Sequence, residues 1–290
     1  MVKIADLGTF TKPLLICGGA YGNLQALEAL AGLQIALGID DTHVIHSGDA
    51  VAYCADTEAS VQFIASRGWH AIMGNVEEQI AQGAADCGCG FAEGSACDAA
   101  SARWYGHSLA TLSAVSRQWM AGLPQQLVFS IGGITAQVVH GSVHQTNRFM
   151  FASSCDAGFE RELDAATADL VIAGHTGIPF TRLIGNRCWH NSGALGMPAN
   201  DGTSRVWASV LTPGPDSLGI THHAIEFDAR TAAQRIRAEH LPAGYADGME
   251  TGLWPSLDIL PDAERAATGQ PLQLDGQTVR MVRRTPIAAE

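Results

Sequence analysis

The strongest constraint on this chain is a device it repeats: a short apolar run that stops at a polar block carrying glycine. Pro13-Leu14-Leu15-Ile16-Cys17 reads as a buried strand that ends at a glycine turn, and Asn23 then precedes Leu24, Leu27, Leu30 and Leu33 at helical spacing. Strand, glycine turn and helix form the opening unit. His43-Val44-Ile45-His46 reads as the next strand, stopping at Gly48-Asp49, and Ala71-Ile72-Met73 as a third, stopping at Gly74-Asn75. Polar residues placed where strands run out into loops on a rigid sheet sit where sites are commonly built.

The second half repeats the device with more strand. Gln125 to Phe129, Gly133 to Val139, Leu170 to Ala173, Asn186 to Asn191, Arg205 to Leu211 and Ile220 to Phe227 read as strands. His140-Gly141-Ser142 and Gly174-His175-Thr176-Gly177 follow two of them. Mixed strands with interspersed helices, one of them over Thr231 to Glu239, predict a layered α/β domain with two sheets packed face to face. The expected division is an N-terminal extension over 1–12, a main domain over 13–227 with a cysteine-rich loop at 84–98, and a C-terminal helix and tail over 228–290. That tail, rich in Pro, Gly and charge beyond Trp254, would suit a subunit contact and hence a homo-oligomer.

Composition narrows the function. The 290 residues, 47% hydrophobic, can bury a sizeable core. With 29 acidic residues against 17 basic, the net charge is -12, and no Lys/Arg cluster could track a phosphate backbone. Duplex nucleic acid is therefore not the expected partner. A small phosphorylated substrate held through a cation escapes the objection, because the metal supplies the positive charge. Met1 to Asp6 brings an acidic residue at once and no long apolar run, so neither signal peptide nor membrane span is read, and a cytoplasmic location is expected. The seven cysteines are odd in number and unevenly spaced, unlike a secreted disulfide scaffold.

The blocks Gly19-Ala20-Tyr21-Gly22-Asn23, Gly48-Asp49, Gly74-Asn75, His140-Gly141-Ser142 and Gly174-His175-Thr176-Gly177 also occur in a telling order. Through them the chain resembles the bacterial calcineurin-like metallophosphoesterases over roughly residues 13 to 212, particularly the small phosphodiesterase and diadenosine-tetraphosphate-hydrolase-like branch. Gly22 to Leu30 is similar to that branch's first helix, and Asn191-Ser192-Gly193-Ala194-Leu195-Gly196 to its late Asn-x-Gly-x-x-Gly loop. The resemblance implies a four-layer α/β/β/α sandwich with two mixed sheets, and metal-dependent hydrolysis of a phosphomonoester or phosphodiester, nucleotides included.

In that family one cation takes the Asp and His of an Asp-x-His motif, a bridging Asp and the second His of Gly-His-x-His. The other takes the bridging Asp, an Asn, a lone His and the first His of Gly-His-x-His. Carried over residue by residue, the first site keeps only Asp49, because Gly19, Tyr21 and Gly177 replace the rest. The second keeps Asp49, Asn75, His140 and His175. Two imidazoles, a carboxylate and an amide oxygen suit one divalent transition metal, zinc, manganese or iron, better than calcium or magnesium. Asp49, Asn75 and His140 are then the catalytic candidates as well. The competing reading is a non-catalytic binding or scaffold protein that kept the fold and a remnant of the ligand set.

Three further features stand outside that set. Tyr21 could ligate iron, donate a hydrogen bond to a phosphoryl oxygen, or fill the hole left at the first site, and filling is the common role of a buried aromatic. Val76 follows Asn75 where many relatives place a proton-donating His, so His144 is a substitute general acid, with an exposed loop histidine as its ordinary reading. Cys87 and Cys89, with Cys97 and Cys54, could converge on the vacated cation position, form a tetrathiolate zinc or iron-sulfur centre, or act as a metal or redox sensor; reduced, packed thiols are the plain alternative. Cys17, Cys155 and Cys188 read as buried small hydrophobes, and His222-His223 as strand surface.

Overall fold

The computed structural model describes residues 2–282. The first half runs β1 (Ile4–Phe10), β2 (Leu14–Cys17), α1 (Leu24–Ala36), β3 (Val44–His46), α2 (Thr57–Arg67), β4 (His70–Ala71), α3 (Asn75–Gln82), α4 (Ala96–Thr111) and α5 (Ala114–Gly122). Then come β5 (Gln126–Ile131), β6 (Ile134–Val138), α6 (Asp156–Ala165), β7 (Leu170–Ala173), β8 (Phe180–Ile184), β9 (Arg187–Asn191), β10 (Val206–Pro213) and β11 (Ser217–Ile225). Helices α7 (Ala229–Ala238), α8 (Ala243–Thr251) and α9 (Asp262–Ala266) precede β12 (Thr278–Val282).

The strands make two six-stranded sheets, ordered β1-β5-β6-β7-β9-β8 and β12-β11-β10-β2-β3-β4. Both are mixed: β2, β3 and β4 run parallel, as do β6, β7 and β9, while β10 and β8 join them antiparallel. Side-chain alternation stacks the layers. In β2, Leu14 and Ile16 enter the core between the sheets, and Leu15 and Cys17 face the helical layer that contains Leu27 and Leu30 of α1. In β7, Leu170 and Ile172 face the same inter-sheet core, whereas Val171 and Ala173 meet Phe159 and Leu163 of α6. Helices thus cover both outer faces, and the expected four-layer sandwich is the architecture found. Helix α1 starts where the capping pattern predicts, with the Asn23 side chain accepting the Ala26 N–H at 3.1 Å.

Both chain ends depart from expectation. Residues 4–10, expected as an extension, form β1 and pair parallel with β5 at the sheet edge. Ala5, Leu7 and Phe10 lean on the inter-sheet core, but Asp6 and Thr9 interrupt the apolar pattern, as an edge strand permits. The expected C-terminal tail is also structural: β12 pairs antiparallel with β11, and α7 packs against both α1 and α8. Residues 283–290 of that segment lie outside the described residues. His222 is buried rather than on a strand surface, because it lies two residues from Ile220 on the inward face of β11. Cys17 and Cys188 are buried as expected, whereas Cys155 caps the start of α6 and is exposed.

Candidate metal centre

The carboxyl ends of the parallel strands from both sheets open toward one place, and the loops there are laced together. Tyr21 N–H donates to Asp49 O at 3.1 Å, His175 N–H to His140 O at 2.9 Å, and Gly196 N–H to Gly19 O at 2.7 Å. Asp49 itself has the left-handed backbone φ of 59°, a conformation that costs a non-glycine residue of order 1 kcal/mol and marks functional turns. Gly74 permits the close approach of the next loop, since a Cβ there would lie 2.2 Å from Asp49 Oδ1.

Four donor atoms converge. His140 Nε2 lies 3.1 Å from Asn75 Oδ1, 3.1 Å from His175 Nδ1 and 3.2 Å from Asp49 Oδ2. Three of the four side chains are aimed by a second bond. His140 Nδ1–H donates to Ser47 O at 2.7 Å, which leaves Nε2 as the free lone pair. Asn75 Nδ2 donates to Cys87 O at 2.9 Å and contacts Cys89 Sγ at 3.4 Å, which turns Oδ1 inward. Val76 N–H donates to Asp49 Oδ1 at 3.1 Å, leaving Oδ2 for the cluster.

Lone pairs facing one another repel unless a cation or proton lies between them. Cation bonds of 2.0–2.1 Å give ligand-to-ligand edges of about 2.8–3.4 Å, the spacing seen around His140 Nε2. The donor set therefore fits one divalent transition metal. Burial pushes His175 down to about 3, helped by the neighbouring His140, so it is a neutral imidazole. Burial alone would lower His140 too, but the Asp49 carboxylate outweighs it and leaves the imidazole raised. Burial likewise opposes the charged form of Asp49, yet His140 and His175 hold its carboxyl below the usual range.

Two supporting residues were not singled out in the sequence. Glu77, fully buried, accepts three backbone N–H groups, from Asp49 at 2.8 Å, Ala50 at 2.7 Å and Gly74 at 2.8 Å. Burial, and then the Asp49 carboxylate, push it up to about 7. The available signal was a glutamate three positions after Gly74 at a helix start, a capping position. His46 accepts the Ala20 N–H on Nε2 at 3.2 Å and is held neutral by burial, down to about 4.

The side of the site formed by Gly19, Tyr21 and Gly177 looks different. A Cβ on Gly19 would lie 2.2 Å from Tyr21 Cε1, so the Tyr21 ring occupies the space of a side chain at position 19. Gly177 has φ +75°, and the nearest atom to a Cβ there is Trp254 Cζ2 at 3.6 Å. Trp254 comes from the segment after α8, anchored by Nε1–H to Pro198 O at 2.6 Å.

The cysteines do not form the expected second set. Cys87 and Cys89 are joined to each other as a disulfide beside Asn75. Cys54 is buried with its thiol toward Gly196 O at 3.6 Å, and Cys97 sits on α4 against Ser256. Glycine between Cys87 and Cys89 lets them meet locally, while the other two belong to separate elements. Among the described residues, the one group of three or more His, Cys, Asp or Glu donors close enough to share an ion is Asp49, His140 and His175. His144 is turned toward Glu162, with Nδ1 3.6 Å from Oε2, and lines a second pocket behind His140 rather than the cavity over Asp49.

The comparisons give the family and the fold. The calcineurin-like phosphoesterase superfamily domain matches residues 24–212. A metallophosphoesterase from Sphaerobacter thermophilus superposes with a TM-score of 0.66 at 20% identity, covering 84% of this chain and 100% of its own. A hypothetical protein from Pyrococcus horikoshii OT3 superposes with a TM-score of 0.70 at 16% identity, covering 83% and 99%. No curated protein matches. At such identities the likeness is one of fold, and the sequence match over residues 24–212 carries the assignment. The chain belongs to the calcineurin-like phosphoesterase superfamily.

Proposed function

We propose that this chain hydrolyses phosphate esters at a one-cation centre held by Asp49, Asn75, His140 and His175. The observation that supports it is the convergence of Asn75 Oδ1, His175 Nδ1 and Asp49 Oδ2 within 3.2 Å of His140 Nε2, with Asp49, Asn75 and His140 each held by a second bond. When bound, a zinc, manganese or iron ion would supply Lewis-acid polarisation of the phosphoryl oxygen and a lowered pKa for the attacking water.

The protein's own groups do the remaining work. Asp49 and Asn75 set the direction from which a phosphoryl oxygen can approach, because Asp49 Oδ1 accepts from Val76 N–H and Asn75 Nδ2 donates to Cys87 O. The ring of Phe149 lies against that of His175, with centroids 4.3 Å apart. Burial, followed by the nearby Asp49 charge, pushes the Tyr21 phenol far up, so it stays protonated and can donate to a phosphoryl oxygen. In the reaction, water oxygen bonds to phosphorus, the ester P–O bond breaks with its electron pair on the departing oxygen, and the water proton is released to solvent.

The test is metal analysis paired with turnover of bis(4-nitrophenyl) phosphate under reducing and non-reducing conditions. About one transition metal per chain, with turnover that disappears in His140→Ala, is expected. Protein without bound metal and without turnover in manganese, zinc or iron would replace this reading with that of a binding scaffold on the same fold.

A further inference from the structure

A cavity of about 220 Å³ opens over the vacated half of the centre. Asp49 and His175 lie in its lining at the metal end, and Tyr53, Phe149, Tyr245 and Trp254 line it elsewhere. These walls come from four separate stretches of chain: the loop after β3, the loop after β6, α8 and the segment following α8. They brace one another: Tyr53 and Tyr245 stack with centroids 4.8 Å apart, and Tyr21 meets Tyr53 edge-on at 4.8 Å. Pre-ordered aromatic walls of this kind gain affinity because little rotamer entropy is lost on binding.

Charge restricts the occupant. Among the described residues, none that lines the cavity is lysine or arginine. A second phosphate, as in a nucleoside diphosphate or dinucleoside polyphosphate, would enter a desolvating aromatic space beside the Asp49 carboxylate with no cationic side chain to pair it, which is strongly unfavourable. A single phosphoryl group at the metal end leaves a neutral group for the rest. The size fits one substituted ring or a fused pair, since an apolar cavity of about 150 Å³ accommodates benzene.

Leaving-group chemistry points the same way. Val76, the residue after Asn75, is fully buried and cannot give a proton, and His144 faces Glu162 instead. An ester oxygen that takes a proton from neither residue leaves best as a stable anion, and a phenolate, with conjugate acid near pKa 10, is far better than an alkoxide.

We propose that this cavity binds the aromatic ester group of an aryl phosphate carrying one phosphoryl unit, with the ring among Tyr53, Tyr245 and Trp254 and the phosphoryl group toward Asp49 and His175. Hydrolysis would break the P–O(aryl) bond, leaving its electron pair on the phenolate, while water oxygen bonds to phosphorus. The substrate class rests on the phosphoesterase reading above; the aromatic site does not.

The experiment is calorimetric titration of the manganese-loaded protein with phenylphosphonate, methylphosphonate and methylenediphosphonate. Phenylphosphonate is expected to bind at least about ten-fold tighter than methylphosphonate. In Trp254→Ala and in Tyr245→Ala, each checked for cooperative melting, that preference should fall below about three-fold. Equal affinities, a preference that survives both variants, or tightest binding of methylenediphosphonate would overturn the proposal. A parallel titration of metal-free protein with 2-naphthol separates the two layers of the argument. Naphthol binding that is lost in Trp254→Ala, with no phosphonate bound by the loaded protein, would refute the phosphoesterase reading and keep the aromatic site. Absence of both would refute the site itself.

Discussion

On one side of Asp49, the side chains of Asn75, His140 and His175 turn lone pairs toward a single point. On the other, Gly19 and Gly177 present bare backbone and Tyr21 a ring. The first side is built by hydrogen bonds that pin Asp49, Asn75 and His140. The second is built by packing: the Tyr21 ring takes the room of a side chain at position 19, and Trp254 closes over Gly177. Two neighbouring sites made from the same loops have thus been given different physics, one electrostatic and one apolar. The loops on both sides are held to one another by backbone bonds such as Gly196 N–H to Gly19 O.

Removing the centre of the electrostatic side is the harshest way to break the contrast. His140→Ala deletes the atom to which the other donors are closest, so metal content should fall from about one per chain to near zero, and turnover of an aryl diester by roughly 10³-fold or more. The packed side should survive, with the aromatic cavity still binding 2-naphthol. Metal retained at full occupancy in that variant would mean the cation lies elsewhere.

A milder change tests whether the pinning matters. Glu77→Gln keeps size but replaces one of the oxygens that accept from Asp49, Ala50 and Gly74 with an amide NH₂, setting a donor against a donor. Leaving a buried polar group unsatisfied costs about 1–3 kcal/mol, and displacement of a supporting partner weakens metal binding by about 10–100-fold. Denaturant melts and a metal titration would read both. Unchanged metal affinity would show that Asp49 is positioned without its glutamate clamp.

Acid separates the histidines of the site from those of the frame. His222 contacts Thr181 Oγ1 at 2.9 Å and Ser209 Oγ at 3.2 Å between the sheets, and Thr181 also touches His190 at 2.9 Å. Burial, aided by His223, pushes His222 down to about 4, and His190 also lies well below its ordinary value. A pKa lowered by folding means the unfolded chain takes up the proton first. Stability is then intact above about pH 6.5 and is lost as pH falls toward 4. At about 1.4 kcal/mol per unit, His222 alone accounts for roughly 2–3 kcal/mol across that window. In metal-free protein, His222→Asn should flatten the decline of the melting temperature between pH 6.5 and 4, and an unchanged slope would move the acid sensitivity to the ligand cluster.

How much of this was legible in the sequence depends on where each element sits. Leu170–Ala173 could be read to the residue because both faces of β7 are buried, which makes the run wholly apolar. Helix α1 was legible from its Asn cap and leucine spacing. The edge strands β1 and β8 were not, since an edge tolerates Asp6, Gly8 and Arg182. At the site, the loop blocks were visible because they end strands, and their order was informative. The aromatic wall was hidden because Tyr245 and Trp254 reach Asp49 only after the chain returns from β11, and no local pattern records that return. The cysteines misled for the converse reason: closeness in sequence suggested one cluster, but Cys54 and Cys97 are held on different elements from the Cys87–Cys89 pair.

The smallest effect carries the sharpest information about the packed side. If the Tyr21 ring fills the room of residue 19, Gly19→Asp must collide with it, since a Cβ there would lie 2.2 Å from Cε1. Overpacking of this size costs about 1–3 kcal/mol. Adding Tyr21→His removes the bulk of the ring, and histidine tolerates the φ of 54° at that position better than most residues. The double variant should therefore be more stable than the sum of the two single changes, by of order 1 kcal/mol in a double-mutant cycle read from denaturant melts. Additive effects would mean that the ring and position 19 do not compete for space, and the vacated half would then need another explanation than filling. Gly177→His on that background adds the last missing imidazole but places it at φ +75°, which opposes it by about 1 kcal/mol. A second cation must overcome that strain and the Trp254 ring together, so the triple variant should bind a second metal more weakly than the first. Equal affinity at both positions would show that packing does not stand in the way of a second cation.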